Sequence, residues 1–440
     1  MEPVLRRIDL TTLPDDRELR ALLPRPAIDV EAALPAVAEL IRDVRERGAE
    51  ALLEQAERFD RVRPDALRVP ADAIADALAT LAPAVREALE TAIARVRVGS
   101  AAQVPPPTSV ELAPGAVVEL RWQPVDRVGL YVPGGKAVYP SSVVMNVVAA
   151  QAAGVASIAV ASPAQAEHAG LPHPTILAAC ALLGVDEVYA MGGAGAIGAL
   201  AHGVPDIGLD AVDVVTGPGN VFVAAAKRVV SGEVRVDAEA GPTEILVIAD
   251  ASADPELVAA DLVSQAEHDE LASAVLVTDD GGLADRVDAA VARRAAATPA
   301  ADRVRAALTG EQSAIVLVAD LEAAARVSDA YAPEHLELLT ADDDALLARI
   351  RHAGAIFVGA HAPVSLGDYA AGSNHVLPTG GQARRVAGLG AATFLRPQQV
   401  VRYDRDALAE VRAAVTALAA AEGLPAHGEA IEARFEGDAR

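Results

Sequence analysis

The sequence predicts an α/β protein with two incomplete Rossmann-like domains, each built on a parallel sheet, and helical extensions at both ends. The chain has 440 residues, enough for two to three domains. Hydrophobic residues make up 52% of it but aromatic residues only 3%, so the core must be aliphatic, which suits helices packed on parallel strands. Short β-branched runs alternate with helical segments from Arg127 to Val358, as βαβ crossovers require.

The first part of the chain is predicted to be helical. After an N-terminal extension, residues 1–28, apolar residues recur at three- and four-residue spacing from Asp29 to Phe59, with a break near Gly48. Two further helices are expected at Ala71–Leu81 and Pro83–Val98. The prolines 105–107 cannot continue a helix, so we expect a linker there.

Eight strands are expected in the central region. Gly241-Pro242 marks a turn between the fourth and the fifth, so we assign residues 127–242 to one α/β domain and residues 29–126 with 243–384 to the other. Residues 359–384 predict a long functional loop without secondary structure, and residues 385–440 a helical tail. The predicted strands are Val128–Val132, Ser157–Ala161, Glu187–Ala190, Val212–Val215, Ile245–Ala249, Ala274–Thr278, Ala314–Val318 and Ala355–Val358.

Charge and cysteine content exclude several classes of protein. The formal net charge of −25 argues against nucleic acid as a partner, because phosphate binding depends on clustered positive charge. We expect no signal peptide and no membrane span. The single cysteine, Cys180, lies in an apolar helical stretch, where a buried thiol is a poor nucleophile. These features predict a soluble, cytoplasmic protein.

Three glycine-rich turns follow predicted strands and suggest a nucleotide or phosphate site. They are Tyr131-Val-Pro-Gly-Gly-Lys136, Gly193-Ala-Gly-Ala-Ile-Gly198 and Thr216-Gly-Pro-Gly-Asn220. Turns at the carboxyl ends of neighbouring parallel strands line one crevice. The second turn matches G-x-G-x-x-G, but in a chain rich in Gly and Ala this match is weak, and a tight strand-to-helix turn also explains it. The chain has two lysines, Lys136 and Lys227, and both follow such turns, by chance or as phosphate-binding cations.

Several polar pairs are candidates for chemistry. Gln265 and His268 are three residues apart on a predicted helix 255–268, where they share a face and suit a metal ion, or a solvated surface. Glu334 and His335 follow a proline-marked turn and suit a water-activating base and a proton acceptor, or a capped helix start. The loop and the tail supply further candidates, namely Asp368, His375 and His427.

Taken in order, these segments resemble the histidinol dehydrogenase family over essentially the whole chain. The motifs that carry the resemblance are Tyr131-Val-Pro-Gly-Gly, Tyr139-Pro-Ser-Ser, Thr216-Gly-Pro-Gly-Asn, Ala240-Gly-Pro-Thr-Glu244, Ser264-Gln-Ala-Glu-His268, Pro333-Glu-His-Leu-Glu337 and Gly367-Asp-Tyr369. The resemblance implies an intertwined homodimer that oxidises L-histidinol to L-histidine in two NAD-dependent steps through bound histidinaldehyde.

The resemblance also implies roles for individual residues. One Zn²⁺ per subunit is expected on Gln265, His268 and Asp368, with His427 supplied by the partner subunit; Mn²⁺ or Co²⁺ also suits this set. The catalytic pair would be Glu334 and His335. The expected substrate contacts are Thr243, where other members often have Ser, Gln265, His268, His335, Asp368, His427 and the partner subunit's Glu422; the expected NAD contacts are Tyr131, Asn220 and position 195.

Position 195 departs from the family pattern, because Gly195 stands where the family usually has Gln. The glycine fingerprint is therefore a coincidence, and loss of the amide predicts weaker NAD⁺ binding by about 1 kcal/mol. Two other functions stay open at this point. A zinc hydrolase could use the same ligands with Glu334 as base, and a non-catalytic nucleotide-binding scaffold could keep the sheets without the chemistry.

Overall fold

The computed structural model describes residues 4–26, 29–134, 138–239 and 241–436. The chain forms two compact units. The first contains Met1–Gln103 and Val125–Phe394, and the second contains Val104–Pro124 and Leu395–Arg440. Within the described residues, no helix is both long enough and apolar enough to span a membrane.

The α-helices, numbered in chain order, are α1 (Asp16–Leu22), α2 (Val30–Arg47), α3 (Ala49–Gln55), α4 (Ala71–Thr80), α5 (Pro83–Ala102), α6 (Pro140–Ala153), α7 (Pro174–Leu182), α8 (Gly193–His202), α9 (Val221–Val230), α10 (Pro255–Ala266), α11 (Gly281–Ala297), α12 (Ala301–Thr309), α13 (Leu321–Tyr331), α14 (Asp343–Leu347), α15 (Val364–Tyr369), α16 (Arg405–Ala421) and α17 (Pro425–Glu432). The strands are β1 (Arg6–Leu10), β2 (Thr108–Ala113), β3 (Ala116–Pro124), β4 (Arg127–Tyr131), β5 (Ser157–Ser162), β6 (Val188–Ala190), β7 (Val214–Thr216), β8 (Arg235–Val236), β9 (Glu244–Ala249), β10 (Ser273–Thr278), β11 (Ala314–Val318), β12 (His335–Leu339), β13 (Ala355–Val358) and β14 (Leu395–Tyr403).

The first unit contains two parallel sheets, which confirms the predicted α/β class. One has six strands in the order β1-β11-β10-β9-β12-β13, and the other has five in the order β6-β5-β4-β7-β8. All eight predicted strands are present within a few residues of their expected bounds. The central strands β9 and β10 are buried at every position, because helices cover both faces of a parallel sheet.

The N-terminal extension differs from the prediction. Residues Arg6–Leu10 form β1, which pairs with β11 at the edge of the six-stranded sheet, so this segment belongs to that sheet. Its main chain is held further by Asp288, which accepts hydrogen bonds from Val4 and Leu5. The pairing joins residues more than 300 positions apart, which local spacing could not indicate.

The packing of the N-terminal helices also differs from the predicted grouping of residues 29–126 with the catalytic half. Helices α2 and α3 share a hydrophobic core with α8, α9 and the five-stranded sheet. For example, Val37, Ile41 and Leu52 are buried in the same cluster as Ile197 and Leu200. The apolar stripe of α2 was recognisable in the sequence, but the surface that it covers was not.

The second unit contains a three-stranded antiparallel sheet, in the order β14-β3-β2, and the helices α16 and α17. The predicted tail therefore begins with a strand, and residues from the predicted linker region belong to the same unit. The β14 strand pairs with β3 over nine residues, from Leu395 opposite Pro124 to Tyr403 opposite Ala116.

Candidate active site

The pair Glu334-His335 follows a proline-marked turn, as predicted, and lies at the amino end of a central strand rather than at a capped helix start. His335 is the first residue of β12, which pairs with β9 and β13 inside the six-stranded sheet. The strand was missed because Glu337 interrupts its apolar pattern. Both Glu334 and His335 are buried, so their polar atoms depend on contacts with their immediate neighbours.

The hydrogen bonds of His335 determine which of its ring nitrogens carries the proton. Its Nδ1 lies 3.1 Å from the main-chain oxygen of Glu244, which can only accept a hydrogen bond, so Nδ1 carries the hydrogen. Burial lowers the pKa of the imidazole below its usual value, so the ring is neutral. Its Nε2 is buried without a hydrogen-bond partner among the described residues. This nitrogen is a base with an unused lone pair.

Glu334 is held by one of its two carboxylate oxygens. Its Oε2 accepts hydrogen bonds from the Thr243 hydroxyl at 2.6 Å and from the main-chain N–H of Glu244 at 2.9 Å. Burial raises the pKa of this carboxyl to about 8, although both hydrogen bonds act in the opposite direction. A carboxyl that titrates near neutral pH and is fixed through one oxygen suits acid–base chemistry.

The predicted metal ligands of the first unit lie around this pair. Gln265, near the end of α10, donates from Nε2 to the Thr243 hydroxyl at 2.6 Å, which completes a chain from Gln265 through Thr243 to Glu334. His268 lies two residues beyond α10, not on the helical face as predicted. Its Nε2 is 4.0 Å from Asp368 Oδ2, so the fold brings these two candidates together.

Asp368 lies on a short helix, α15, within the segment predicted to lack secondary structure. His375, which follows it, has Nδ1 2.8 Å from the main-chain oxygen of Asp368 and Nε2 3.3 Å from the Ser142 hydroxyl. The amide nitrogen of the adjacent Asn374 donates to the main-chain oxygen of Met145. The segment therefore connects the Asp368 region to α6 of the five-stranded half.

Among the described residues, no group of three or more His, Cys, Asp or Glu side chains is arranged to hold a metal ion. The predicted set includes only two side chains of these types on the first unit, His268 and Asp368, beside the Gln265 amide. The remaining predicted ligand, His427, lies on α17 of the second unit, and the predicted substrate contact Glu422 directly follows α16.

The described residues of the glycine turns lie at the carboxyl edge of the five-stranded sheet, as predicted. Tyr131 ends β4, and its buried hydroxyl accepts a hydrogen bond at 3.2 Å from the N–H of Gly193, the first residue of α8. Burial raises the pKa of this phenol to about 12, so it is neutral. Gly217 has φ +117°, and an added Cβ would overlap the Tyr131 carbonyl, so only glycine permits this approach.

The remaining residues of this edge differ in accessibility. Asn220 is exposed and caps α9, where its Oδ1 accepts from the N–H groups of Phe222 and Val223. Gly195 is buried within α8. An added Cβ there would overlap Gln55 Oε1 and approach Leu52 at 3.2 Å. The amide of Gln55 thus occupies the space that a side chain at position 195 would enter.

Lys227 is fully buried and is not available to a phosphate, contrary to the suggestion from its position in the sequence. Its Nζ donates to Asp237 Oδ1 at 2.5 Å, to the main-chain oxygen of Gly217 at 2.5 Å and to that of Ala238 at 3.3 Å. Asp237 also accepts from the N–H of Gly217. The pair therefore fixes the Gly217 turn. Lys136, the other lysine, lies outside the described residues.

The sequence pattern did not indicate the role of every residue in this region. Glu244 ends the Gly-Pro-Thr-Glu motif, but nothing in the pattern indicated that its main chain contacts both Glu334 and His335. Its carboxylate pairs with Arg25, 219 positions away in the sequence. Cys180 is buried as predicted, and burial raises the pKa of its thiol to about 12, which makes it a poor nucleophile.

Two parallel sheets in an α/β fold, glycine turns at the carboxyl edge of one sheet and a buried Glu-His pair at the amino edge of the other characterise a class of two-sheet α/β proteins. Comparison with known proteins gives the family. Residues 23–435 match the histidinol dehydrogenase family model, and the chain belongs to that family. It is 65% identical to a histidinol dehydrogenase from Leifsonia xyli, over 98% of this chain and 99% of the relative, and 59% identical to one from Thermobifida fusca, over 99% and 98%.

A solved structure agrees with this assignment. The crystal structure of histidinol dehydrogenase from Elizabethkingia anophelis matches with a TM-score of 0.92 and 31% sequence identity, over 99% of both chains. The match therefore covers both compact units and not only the α/β part of the fold.

Proposed function

We propose that this protein oxidises L-histidinol to L-histidine in two successive NAD-dependent steps, through bound histidinaldehyde. The observation that carries the proposal is the arrangement of the acid–base pair. His335 is neutral and has an unused Nε2, and Glu334, fixed through Oε2, lies beside it with 3.5 Å between Oε2 and the Nδ1 of His335. Family membership supports the choice of substrate.

His335 serves as the base of the first oxidation. Its Nε2 takes the hydroxyl proton of the alcohol while the carbon loses hydride, so the alcohol becomes an aldehyde and the imidazole becomes imidazolium. The proton must then pass to water before the second step. The main-chain oxygen of Glu244 keeps the second ring nitrogen protonated, so that the basic nitrogen is always Nε2.

Glu334 serves in the second oxidation. Ionised, it accepts a proton from a water molecule as the water oxygen bonds to the aldehyde carbon, and the former carbonyl oxygen takes up a proton from solvent, which gives the hydrate. His335 then takes a hydroxyl proton of the hydrate while the carbon loses its second hydride, which leaves the acid. Aldehyde oxidations that proceed through a thiohemiacetal need an accessible thiolate, and the buried Cys180 does not supply one.

The residues proposed to hold Zn²⁺ are Gln265, His268 and Asp368, with His427 of the partner subunit. The donors fit, since imidazole nitrogen and amide or carboxylate oxygen are ordinary ligands of this ion. When bound, the ion would orient the substrate and act as a Lewis acid toward it. Thr243 of the same subunit and the partner subunit's Glu422 would complete the contacts to histidinol.

NAD⁺, the hydride acceptor, is proposed to bind at the carboxyl edge of the five-stranded sheet, beside Tyr131, Gly195 and Asn220. Two helix N-termini, those of α8 and α9, begin there and favour anionic groups. We also propose a cytoplasmic location, where a lone reduced thiol is ordinary.

The function is tested by the absorbance of NADH on addition of histidinol to the zinc-loaded protein, with and without a chelator. We expect two NADH per histidinol consumed and loss of activity with the chelator. If no NADH forms, the proposal fails. In that case, metal-dependent release of a hydrolysis product would favour the zinc hydrolase, and NAD⁺ binding without turnover would favour the non-catalytic scaffold.

The contribution of the partner subunit is tested by mixing two inactive variants, His335→Asn and His427→Ala. If His427 acts in the other subunit's site, each mixed dimer has one intact site. Random exchange then makes about half of the dimers mixed, and about a quarter of all sites active. If His427 acts within its own chain, every site keeps one defect, and the mixture stays inactive.

A further inference from the structure

Arg25 lies in the short segment after α1 and reaches the amino edge of the six-stranded sheet. Its Nη1 is 3.0 Å from Glu244 Oε1, and its Nη2 donates to the main-chain oxygen of Tyr331. The guanidinium also lies over the Tyr331 ring, 3.9 Å from the centroid. The three contacts use the planar fork and the face of a single guanidinium, which a lysine ammonium cannot reproduce.

Glu244 is the first of the two points that Arg25 holds. Its carboxylate is buried, and besides Arg25 it accepts a hydrogen bond from the N–H of Gly380. Its main chain contacts both members of the acid–base pair. The N–H of Glu244 donates to Glu334 Oε2, and its carbonyl oxygen accepts from His335 Nδ1. A shift of this one residue would therefore move both groups.

Tyr331 is the second point. It is the last residue of α13, and only Ala332 and Pro333 separate it from Glu334. Ala332 has φ +49°, in the left-handed region, so the chain turns sharply before β12. By binding the Tyr331 carbonyl, Arg25 fixes the start of this turn. One side chain thus connects the segment that carries Thr243 and Glu244 to the segment that carries Glu334 and His335.

We propose that Arg25 is a positioning residue for the reaction, and that its bonds to Glu244 and Tyr331 hold the Glu334 carboxylate and the His335 imidazole in the positions that the reaction requires. This inference rests on the catalytic roles proposed for Glu334 and His335. The physical reason is that reacting groups must be placed to within a fraction of an ångström, so a displacement of about 1 Å costs on the order of 10²-fold in rate. Without Arg25, the buried Glu244 carboxylate has no cation within reach among the described contacts.

The test is Arg25→Gln, compared with Arg25→Lys. For Arg25→Gln we expect kcat to fall by about 10- to 100-fold in both oxidations. The KM values for histidinol and NAD⁺ and the zinc content of the purified protein should stay within about twofold. Arg25→Lys keeps the charge but not the fork, so its kcat should lie between those of wild type and Arg25→Gln.

Arg127→Gln is the matched control. Arg127 also makes a largely buried ion pair, with Glu187, but at the amino end of β4, away from the residues proposed to react. We expect it to lower the unfolding temperature and leave kcat unchanged. If Arg25→Gln does not fold, Glu244→Gln replaces it, because it keeps the side-chain shape and removes the ion pair. The same selective loss of kcat is expected.

Parallel assays of Glu334→Gln and His335→Asn distinguish a failure of the proposed catalytic roles from a failure of the positioning role of Arg25. If both keep wild-type activity, the proposed catalytic roles fail. If both lose activity while Arg25→Gln keeps the wild-type kcat, only the positioning role is overturned. It is also overturned if Arg25→Gln loses kcat, zinc and folded protein in proportion, since that pattern indicates a structural role alone.

Discussion

The two sheets of the first unit place their candidate functional residues at opposite ends of their strands. In the five-stranded sheet, the glycine turns and Asn220 follow the carboxyl ends of β6, β4 and β7, the usual ligand-binding edge of an open α/β sheet. In the six-stranded sheet, Glu334, His335 and Glu244 lie at the amino ends of β12 and β9. Glu334 and His335, the proposed acid–base pair, therefore lie at the edge that the general rule does not indicate.

The two edges are also built differently. At the five-stranded edge, the site is shaped mainly by main-chain conformation, as in the close approach of Gly217 to Tyr131. At the six-stranded edge, buried side chains are held by hydrogen bonds to neighbouring main chain. Substitutions at the first edge should therefore act on cofactor binding and stability, and substitutions at the second on the rates of the chemical steps.

The largest effect is expected at the six-stranded edge, for His335→Asn. Asparagine preserves a donor toward the Glu244 carbonyl but has no basic nitrogen, so both oxidations lose their base. We expect kcat to fall by about 10²- to 10⁴-fold in each step. The steps are measured separately by supplying histidinol or histidinaldehyde. A loss confined to one step would contradict the proposed role.

At the five-stranded edge, the largest effect is expected for Lys227→Met. The substitution leaves Asp237 buried without its cation, which costs about 3–5 kcal/mol in the free energy of unfolding. The matched variant Lys227→Met/Asp237→Asn keeps an oxygen that accepts from the Gly217 N–H. Denaturant unfolding should therefore show that it recovers much of the loss. An equal loss in the single and double variants would show that the ion pair is not the cause.

Glu334→Gln should separate the two oxidations. The amide cannot accept a proton from water, so the second oxidation should slow by about 10²-fold or more, while the first changes much less. Histidinaldehyde oxidation in the wild type should also accelerate as the pH rises toward about 8, because burial raises the pKa of Glu334 and only the ionised form is a base. Equal losses in both steps would argue against this assignment.

A smaller effect is expected at the Glu337–Asp261 pair, which should make the free energy of unfolding depend on pH. Glu337 on β12 and Asp261 on α10 share a hydrogen bond, and burial raises the pKa of both carboxyl groups. The folded protein therefore holds a proton that the unfolded chain releases above a pH of about 4.5. Because the folded state binds one more proton than the unfolded state, the free energy of unfolding falls as the pH rises above that value, by up to about 1.4 kcal/mol per pH unit. Glu337→Gln should flatten this dependence, and an unchanged slope would exclude the pair as its source.

The smallest effect is expected at Gly195. Gly195→Gln overlaps Gln55, so we expect a loss of about 1 kcal/mol or more in the unfolding free energy, relieved by adding Gln55→Ala. The double variant should lower the KM for NAD⁺ by a few-fold, since one hydrogen bond contributes about 1 kcal/mol. An unchanged KM in that variant would show that position 195 does not contact the cofactor.

Much of the fold and of the candidate site was predictable from the sequence. Strands such as Ala314–Val318 are continuous apolar runs rich in β-branched residues, which local propensity identifies. In contrast, β12 was missed because the buried Glu337 breaks its pattern, and α15 because it is short and lies in a glycine-rich stretch. The grouping of α2 with α8 was missed because an apolar stripe does not reveal its partner.

The sequence by itself determined the α/β class, the family and the candidates Glu334, His335, Gln265, His268 and Asp368, because these depend on residue types and short spacings. Only the tertiary structure decided the tautomer of His335, the burial of Lys227 and the link between Arg25 and Glu244. Those properties depend on atoms from segments far apart in the chain, and no local pattern records which segments the core brings together.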